Sequence, residues 1–401
     1  MRFKSKIPLI ISVIALVAVV AVSSLKDKNQ SVISTTNKEK AVKTSSVKIS
    51  SEMRGIWISF MDLDMSGTDR SYKSFKNKFN SIADKCKENK FNTLIVQVRP
   101  YSDALYNSSY FPYSHIISGV QGKNPGYDPL KYMCYYTHKI GLKIHAWINP
   151  YRVRNSEELK LSSDNPYKNN RKLGVKVGHG IYYNPALSGV RKLIENGIKE
   201  IINNYDVDGI QFDDYFYPTQ KETFDKTEYE RYKSNIGENT VISLKDWRIA
   251  NVNILIAECY SLIHNTKKDI VFGISPQGNI NNDYEMCADV YSWCSKSGYI
   301  DYICPQLYYS LKNPALTFER ALKNWASLKY SDDVTLYIGI AGYKTGTDAD
   351  SGTWNYSDNI LQQEVKLVRK KKLNGFMFYS YANLESDKAS KEVSNLVEIL
   401  D

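Results

Sequence analysis

Histidine is scarce in this 401-residue chain: there are five, placed singly, with no H-x-x-x-H pair. The six cysteines include no C-x-x-C, so the ligand spacing of a zinc site is missing. No glycine-rich loop followed by lysine occurs, which leaves a nucleotide without a phosphate cradle. Neither a metal nor an organic cofactor is expected. Glycine and proline are also few, 21 and 12, and charged residues make up 24% against 42% hydrophobic. That balance excludes a disordered, collagenous or disulfide-scaffold chain. Basic charge on the folded body is likewise modest. Of the formal +10, residues 1–52 hold nine Lys+Arg against three Asp+Glu, a net +6, and the remaining 349 residues carry only +4. A nucleic-acid binder concentrates its basic residues on the body, so that partner is not expected. Tyrosine is what abounds, 31 against 13 phenylalanines. It keeps a polar handle and suits surfaces that stack on flat, hydroxyl-rich partners such as sugars.

Arg2, Lys4 and Lys6 precede an apolar run from Ile7 to Val22, interrupted only by Pro8 and Ser12. This is the order of an export signal. Residues 1–25 are expected to be a signal anchor or a cleaved signal peptide, with Ala21-Val22-Ser23 as a small-residue cleavage site, and 26–52 a Ser/Thr/Lys/Asn-rich tether. The body, 53–401, is then extracytoplasmic. Exported cysteines could pair, but Cys86, Cys134 and Cys259 fall in expected helices and Cys304 in a strand. Buried free thiols are the expectation.

From Gly55 onward short apolar strands alternate with helical stretches. Strands are predicted at 55–60, 92–99, 142–149, 208–214, 269–275, 301–308, 334–341 and 375–381. Helices are predicted at about 71–89, 128–140, 187–204, 245–265, 284–297, 315–328, 358–372 and 387–400. Eight βα units predict an α/β fold, a (β/α)8 TIM barrel. Alternation along strand four sends Ile210 and Phe212 to the helices and Gln211 and Asp213 into the barrel. The same parity turns inward Gln97 and Arg99, then His145, Trp147 and Asn149, then Ser275, Gln306 and Tyr308, and finally Tyr379 and Tyr381. The polar members gather at carboxyl ends, where barrel ligands bind. Long loops at 100–127, 150–186 and 215–244 are expected to wall a groove for an extended substrate.

Asp213-Asp214, at the end of the strand Asp208-Gly-Ile-Gln-Phe-Asp-Asp, is the densest chemical signal. On a strand, neighbours point to opposite sides, so Asp213 is expected in the barrel mouth, while Asp214 starts the loop or orients a neighbour. Burial and like charge raise a carboxyl's pKa, as a group that must hold its proton near neutrality requires. An Asp-Asp pair in salt bridges or a loop cap is the structural alternative.

Met53-Arg-Gly-Ile-Trp-Ile-Ser59, Asn92-Thr-Leu-Ile-Val-Gln-Val-Arg-Pro100 with Ser102-Asp-Ala-Leu-Tyr106, Gly126-Tyr-Asp-Pro-Leu130, His145-Ala-Trp-Ile-Asn-Pro-Tyr151 and Asp208 to Pro218 together resemble the glycosyl-hydrolase-like family ten of bacterial, often membrane-attached glycosidases. The resemblance covers essentially all of 53–401. It implies a TIM barrel acting on a polysaccharide, with peptidoglycan the leading substrate. Strand four also has a distant likeness to family 18 chitinases, in which three acids alternate. Here those positions are Gln211, Asp213 and Tyr215, so only one is acidic.

Ordinary glycosidases use two carboxyls, about 5–5.5 Å apart when retaining and about 6.5–9.5 Å when inverting. Asp103, Asp348 and Asp350 are the loop candidates for a second. Without one, the nucleophile comes from the substrate, as its acetamido oxygen or its own 6-hydroxyl. The expectation is therefore cleavage of peptidoglycan strands, by hydrolysis or as a lytic transglycosylase, with Asp213 and Asp214 catalytic. The alternatives are another extracellular polysaccharide or non-catalytic glycan binding. Arg99 could hold a lactyl or peptide carboxylate, with an ion pair to Asp103 or Asp213 as its structural alternative. His145 and Asn149 could bond sugar hydroxyls, although a barrel histidine is more often structural. Trp147, Tyr215, Tyr217, Tyr308 and Trp354 could stack on sugars, with core filling the default for Trp147. Gln306 could orient an acetamido group or the acid.

Overall fold

The computed structural model describes residues 52–236 and 240–400. The expected export segment and the tether up to residue 51 lie outside them. Among the described residues, no helix is long and apolar enough to cross a membrane.

Eight parallel strands form the barrel: β1 (Met53–Ile58), β2 (Thr93–Arg99), β3 (Lys143–Ile148), β4 (Gly209–Phe212), β5 (Val271–Ile274), β6 (Tyr302–Ile303), β7 (Thr335–Leu336 and Ile338–Ala341) and β8 (Gly375–Tyr379). The two pieces of β7 are one strand interrupted at Tyr337. Its first piece pairs with β6 and its second with β8, and β8 pairs with β1, so the sheet closes. β6 is shorter than expected because Pro305 has no N–H to give the ladder. Pairing resumes only as single bridges at Gln306.

Outside run α1 (Tyr72–Glu88), α2 (Pro129–Lys139), α3 (Ser188–Asn204), α4 (Leu244–Thr266), α5 (Ile280–Glu285 and Val290–Ser295), α6 (Phe318–Ala326), α7 (Ile360–Lys370) and α8 (Ser390–Glu398). Ser71, Asp128 and Ser243 cap α1, α2 and α4 by accepting backbone N–H bonds, and Pro129 fits the first turn of α2. α5 was expected as one helix. It breaks at Cys287, whose φ of 63° is left-handed, and restarts at the cap Asp289.

Two cores result. The larger lies between strands and helices, and the smaller fills the barrel with Met53, Trp57, Ile95, Trp147, Tyr302, Cys304, Tyr337 and Met377. The interior tolerates Tyr302 because β5 offers Gly273, where a Cβ would come within 2.1 Å of the ring. At the opposite end from the cleft, Asp208 and Asp301 play matching parts. Asp208 accepts from Ile144 N–H at 2.8 Å and His138 Nε2 at 2.9 Å. Asp301 accepts from Phe272 N–H at 2.6 Å and His264 Nε2 at 3.0 Å. All six cysteines are buried and unpaired.

The long loops carry structure that periodicity did not announce. The loop after β3 folds into an antiparallel sheet of Arg152–Arg154, Gly174–Val177 and Gly180–Tyr183, and the loop after β4 holds a helix, Lys226–Asn235. The buried pair of Arg248 with Asp225, 2.6 Å, ties that second loop to α4.

Candidate active site

The cleft lies at the carboxyl ends of the strands and encloses about 220 Å³, lined by Trp57, Trp147, Gln211, Asp213, Asp214, Tyr215, Ser275, Gln306, Tyr308, Tyr343 and Tyr379. All strands but β2 contribute. The walls come from strand ends, and of the three long loops only Tyr215 joins the lining.

Asp213, 3% exposed, is held by a chain of amides. Phe60 N–H donates to Gln97 Oε1 at 3.0 Å, Gln97 Nε2 donates to Asn149 Oδ1 at 2.6 Å, and Asn149 Nδ2 donates to Asp213 Oδ2. A backbone N–H at the start has only a proton to give, so the direction of every bond after it is set. Trp147 Nε1 adds a donor to Oδ2 at 3.4 Å, and Tyr215 N–H approaches Oδ1 at 3.4 Å. Burial, and then the charge of Asp214, push the Asp213 pKa up to about 7, against these N–H bonds and the Arg152 cation. Asp214 is also pushed up, by burial, and opposed by hydrogen bonds and by Arg152. Gln306 Nε2 donates to Asp214 Oδ1 at 3.2 Å and to Ser275 O at 3.0 Å. Neighbouring carboxyls of this kind titrate as a pair.

Asp213 therefore stands where strand parity put it. Asp214 does not simply turn away. β4 ends at Phe212, so alternation has lapsed, and both carboxyls line one cleft. Tyr308 meets Tyr343 and Tyr379 with ring centroids 5.7 Å apart, and Tyr379 meets Trp57 at 5.9 Å. Tyr215, 51% exposed, stands at the rim. This aromatic wall suits sugar faces.

Five expected site residues lie elsewhere. Arg99 is 1% exposed and on the helix side. The β2–β3 register shifts between Gln97 and Arg99, which turns the guanidinium outward against Phe111, 4.5 Å from its ring, and Gly197 of α3. Asp103 is buried in the following loop, accepting from Gln121 Nε2 at 3.0 Å with His115 at 3.5 Å. His145 sits one layer below the cleft. Tyr302 gives its proton to Gln211 Oε1 at 3.1 Å, so His145 Nδ1 must donate to Tyr302 Oη at 3.0 Å. Burial holds this imidazole neutral, with its pKa pushed down to about 4. Tyr217 is buried against Arg248, 5.1 Å, and Phe224, 5.8 Å. Trp354 is fully buried, its Nε1 donating to Asp350 at 2.8 Å. Tyr381, expected inward, follows the end of β8 and packs in the outer core.

The candidate second carboxylates fare no better. Asp350 is taken by Lys344 and Trp354, and Asp348 accepts from Asn355 at the surface. Among the described residues, no carboxylate besides Asp213 and Asp214 lines the cleft. Sequence reasoning missed Trp57, Tyr343 and Arg152. Parity on β1 could have found Trp57, since Gly55 and Trp57 share a face. Tyr343 and Arg152 lie beyond strand ends, where no period operates.

The chain has relatives of known class. A sequence profile of the family described as Glycosyl hydrolase-like 10 matches residues 52–357. Glycosyl hydrolase YngK of Bacillus subtilis is 35% identical over 360 residues, 84% of this chain and 69% of that protein. Glycosyl hydrolase DigH of Escherichia coli K12 is 33% identical over 331 residues, 74% of each. Among solved structures, the PgaB (BpsB) glycoside hydrolase domain of Bordetella bronchiseptica superposes with a TM-score of 0.57 at 10% identity, covering 86% of this chain and 99% of that one. That likeness is one of fold. On the profile and the two relatives, the chain belongs to the glycosyl hydrolase-like 10 family and is a glycosidase by class.

Proposed function

We propose that the chain cleaves the glycan strands of peptidoglycan outside the cytoplasmic membrane, with Asp213 as general acid. One observation carries the reading: a buried carboxyl, its pKa pushed up to about 7 by burial and by Asp214, stands in a tyrosine-lined cleft with, among the described residues, one neighbouring carboxylate and no other. The proton passes from Asp213 to the glycosidic oxygen as the C1–O bond breaks. Asp214, oriented by Gln306, stabilises in its carboxylate form the positive charge that develops at the sugar.

The nucleophile comes from the substrate. Peptidoglycan offers two, an acetamido oxygen and the muramoyl 6-hydroxyl. If the acetamido oxygen attacks C1, water later opens the ring it forms and a reducing end results. If the 6-hydroxyl attacks, its proton returns to Asp213 and a 1,6-anhydro end forms without water. Both routes use the same acid. The export segment read in residues 1–25 supports a site of action in the envelope, tethered to the membrane or secreted.

The test is mass spectrometry of fragments released from purified peptidoglycan by the full chain, beside Asp213→Asn and Asp214→Asn. Anhydro ends identify a lytic transglycosylase and reducing ends a hydrolase. In either case release is lost in Asp213→Asn. No release by the unaltered chain contradicts the peptidoglycan reading.

A further inference from the structure

Arg152 is the cation beside the catalytic pair, and its own partners are few. Its Nε donates to Pro100 O at 2.8 Å. The guanidinium carbon lies 4.9 Å from the Tyr101 ring centroid and 5.6 Å from that of Tyr215. It is half-buried, and among the described residues it pairs with no carboxylate. Other arginines near the barrel mouth are spoken for: Arg248 forks onto Asp225, and Arg99 is sealed on the helix side. The residue also rises from a hydrogen-bonded strand. Arg152 opens the antiparallel strand that pairs with Gly180–Tyr183, in register with Tyr182.

Two planar rings and one carbonyl thus hold the guanidinium, and among the described residues neither terminal nitrogen has a protein acceptor. Such a pre-set fork suits bidentate recognition of a carboxylate. Its charge also acts on Asp213 and Asp214, in both cases favouring loss of the proton. An acid that must keep its proton is poorly served by a bare neighbouring cation. A substrate carboxylate seated on Arg152 would cancel that charge in the complex and strengthen the hold on the proton.

We propose that Arg152 is a carboxylate-binding subsite at the rim of the cleft, so that the glycan cut here carries a carboxylate close to the scissile bond. The assignment deepens the peptidoglycan reading and rests on it. It gives Arg152 the part that the sequence suggested for Arg99. The carboxylate has two sources in peptidoglycan, the lactyl group of muramic acid or an acid of the stem peptide, and the chemistry of recognition is the same.

The experiment uses the full chain with three strand preparations: peptide-bearing, peptide-free with lactyl carboxylates intact, and peptide-free with those carboxylates methyl-esterified. kcat and KM are measured for the unaltered chain, Arg152→Gln and Arg152→Lys. The expected result is a preference of roughly tenfold or more in kcat/KM for a free-carboxylate preparation over the esterified one, about the effect of one well-made ion pair. It resides mainly in KM, falls to near unity in Arg152→Gln, and is partly kept in Arg152→Lys. If the peptide-bearing strands alone show the Arg152-dependent preference, the stem acid is the ligand; if the peptide-free strands show it, the lactyl group is. A second readout separates binding from mere structural support. With the preferred strands the alkaline fall of kcat lies at higher pH than that of kcat/KM, whereas with esterified strands the two coincide. A preference unchanged in Arg152→Gln overturns the assignment and leaves the peptidoglycan reading intact. Failure of the unaltered chain to cut any of the three overturns both.

Discussion

Replacing Asp213 by asparagine should stop cleavage and at the same time stabilise the fold. The asparagine carbonyl can still accept from Asn149 Nδ2 and Trp147 Nε1, the donors now on Oδ2. What disappears is a buried group that resists ionisation. Its folded-state pKa, about 7, stands above the ordinary value of 3.8. Between about pH 4 and pH 7 the folded chain therefore holds a proton that the unfolded chain has released, and stability falls as pH rises through that window. A shift of about three units at about 1.36 kcal/mol each gives about 4 kcal/mol, all of it present as a penalty above pH 7. About 350 folded residues unfold with an entropy of roughly 0.7 kcal/mol/K, so the Tm difference is about 5–6 °C. Thermal unfolding of the two proteins from pH 4 to pH 8 measures it. The curves should meet near pH 4, with Asp213→Asn progressively the more stable up to pH 7 and a constant gap beyond. Parallel curves across the range would refute the claim that Asp213 is protonated in the folded protein.

Other residues give independent checks. Asn149→Leu removes a donor from Asp213; at about 1.5–3 kcal/mol for a bond to a charged group, the alkaline limb of kcat/KM should rise by about 1–2 pH units, read in a pH–rate profile. Arg99→Met should leave kcat/KM within about twofold and the fold no less stable, because an unpaired buried charge is replaced by an apolar side chain of similar length; a tenfold loss of activity would place Arg99 in the cleft. Gly273→Ala drives a Cβ into the Tyr302 ring and should lower denaturant stability by about 1–3 kcal/mol or more. Asp225→Ala strands Arg248 in the interior and should cost about 3–5 kcal/mol by the same measurement.

The barrel was legible because its strands alternate. Ile210 and Phe212 outward with Gln211 and Asp213 inward is a period of two, and eight repeats of strand then helix leave few folds to choose from. The acid was legible for the same reason. Parity failed where a strand ended or bulged. One extra residue after Gln97 sent Arg99 to the helices, and the end of β4 at Phe212 let Asp214 share the cleft with Asp213. Depth was not legible at all. His145 and Asn149 share a face, but four residues along a strand separate a sealed layer from the mouth, and only packing against Tyr302 shows which is which. Loop residues had no period to betray them. Trp354 and Tyr217 looked like sugar platforms by residue type and proved to be core, while Tyr343 and Arg152 reached the cleft or its rim unannounced.

The central claim is that Asp213 supplies the proton for glycan cleavage, and the pH dependence of kcat/KM on peptidoglycan strands tests it most directly, run from pH 4 to pH 10 with the full chain. The account predicts activity that falls about tenfold per pH unit above about pH 7, with Asp213→Asn inactive on strands yet still cutting an aryl glycoside whose leaving group needs no proton. Activity that holds level to pH 9, or strand cleavage that survives in Asp213→Asn, would contradict it.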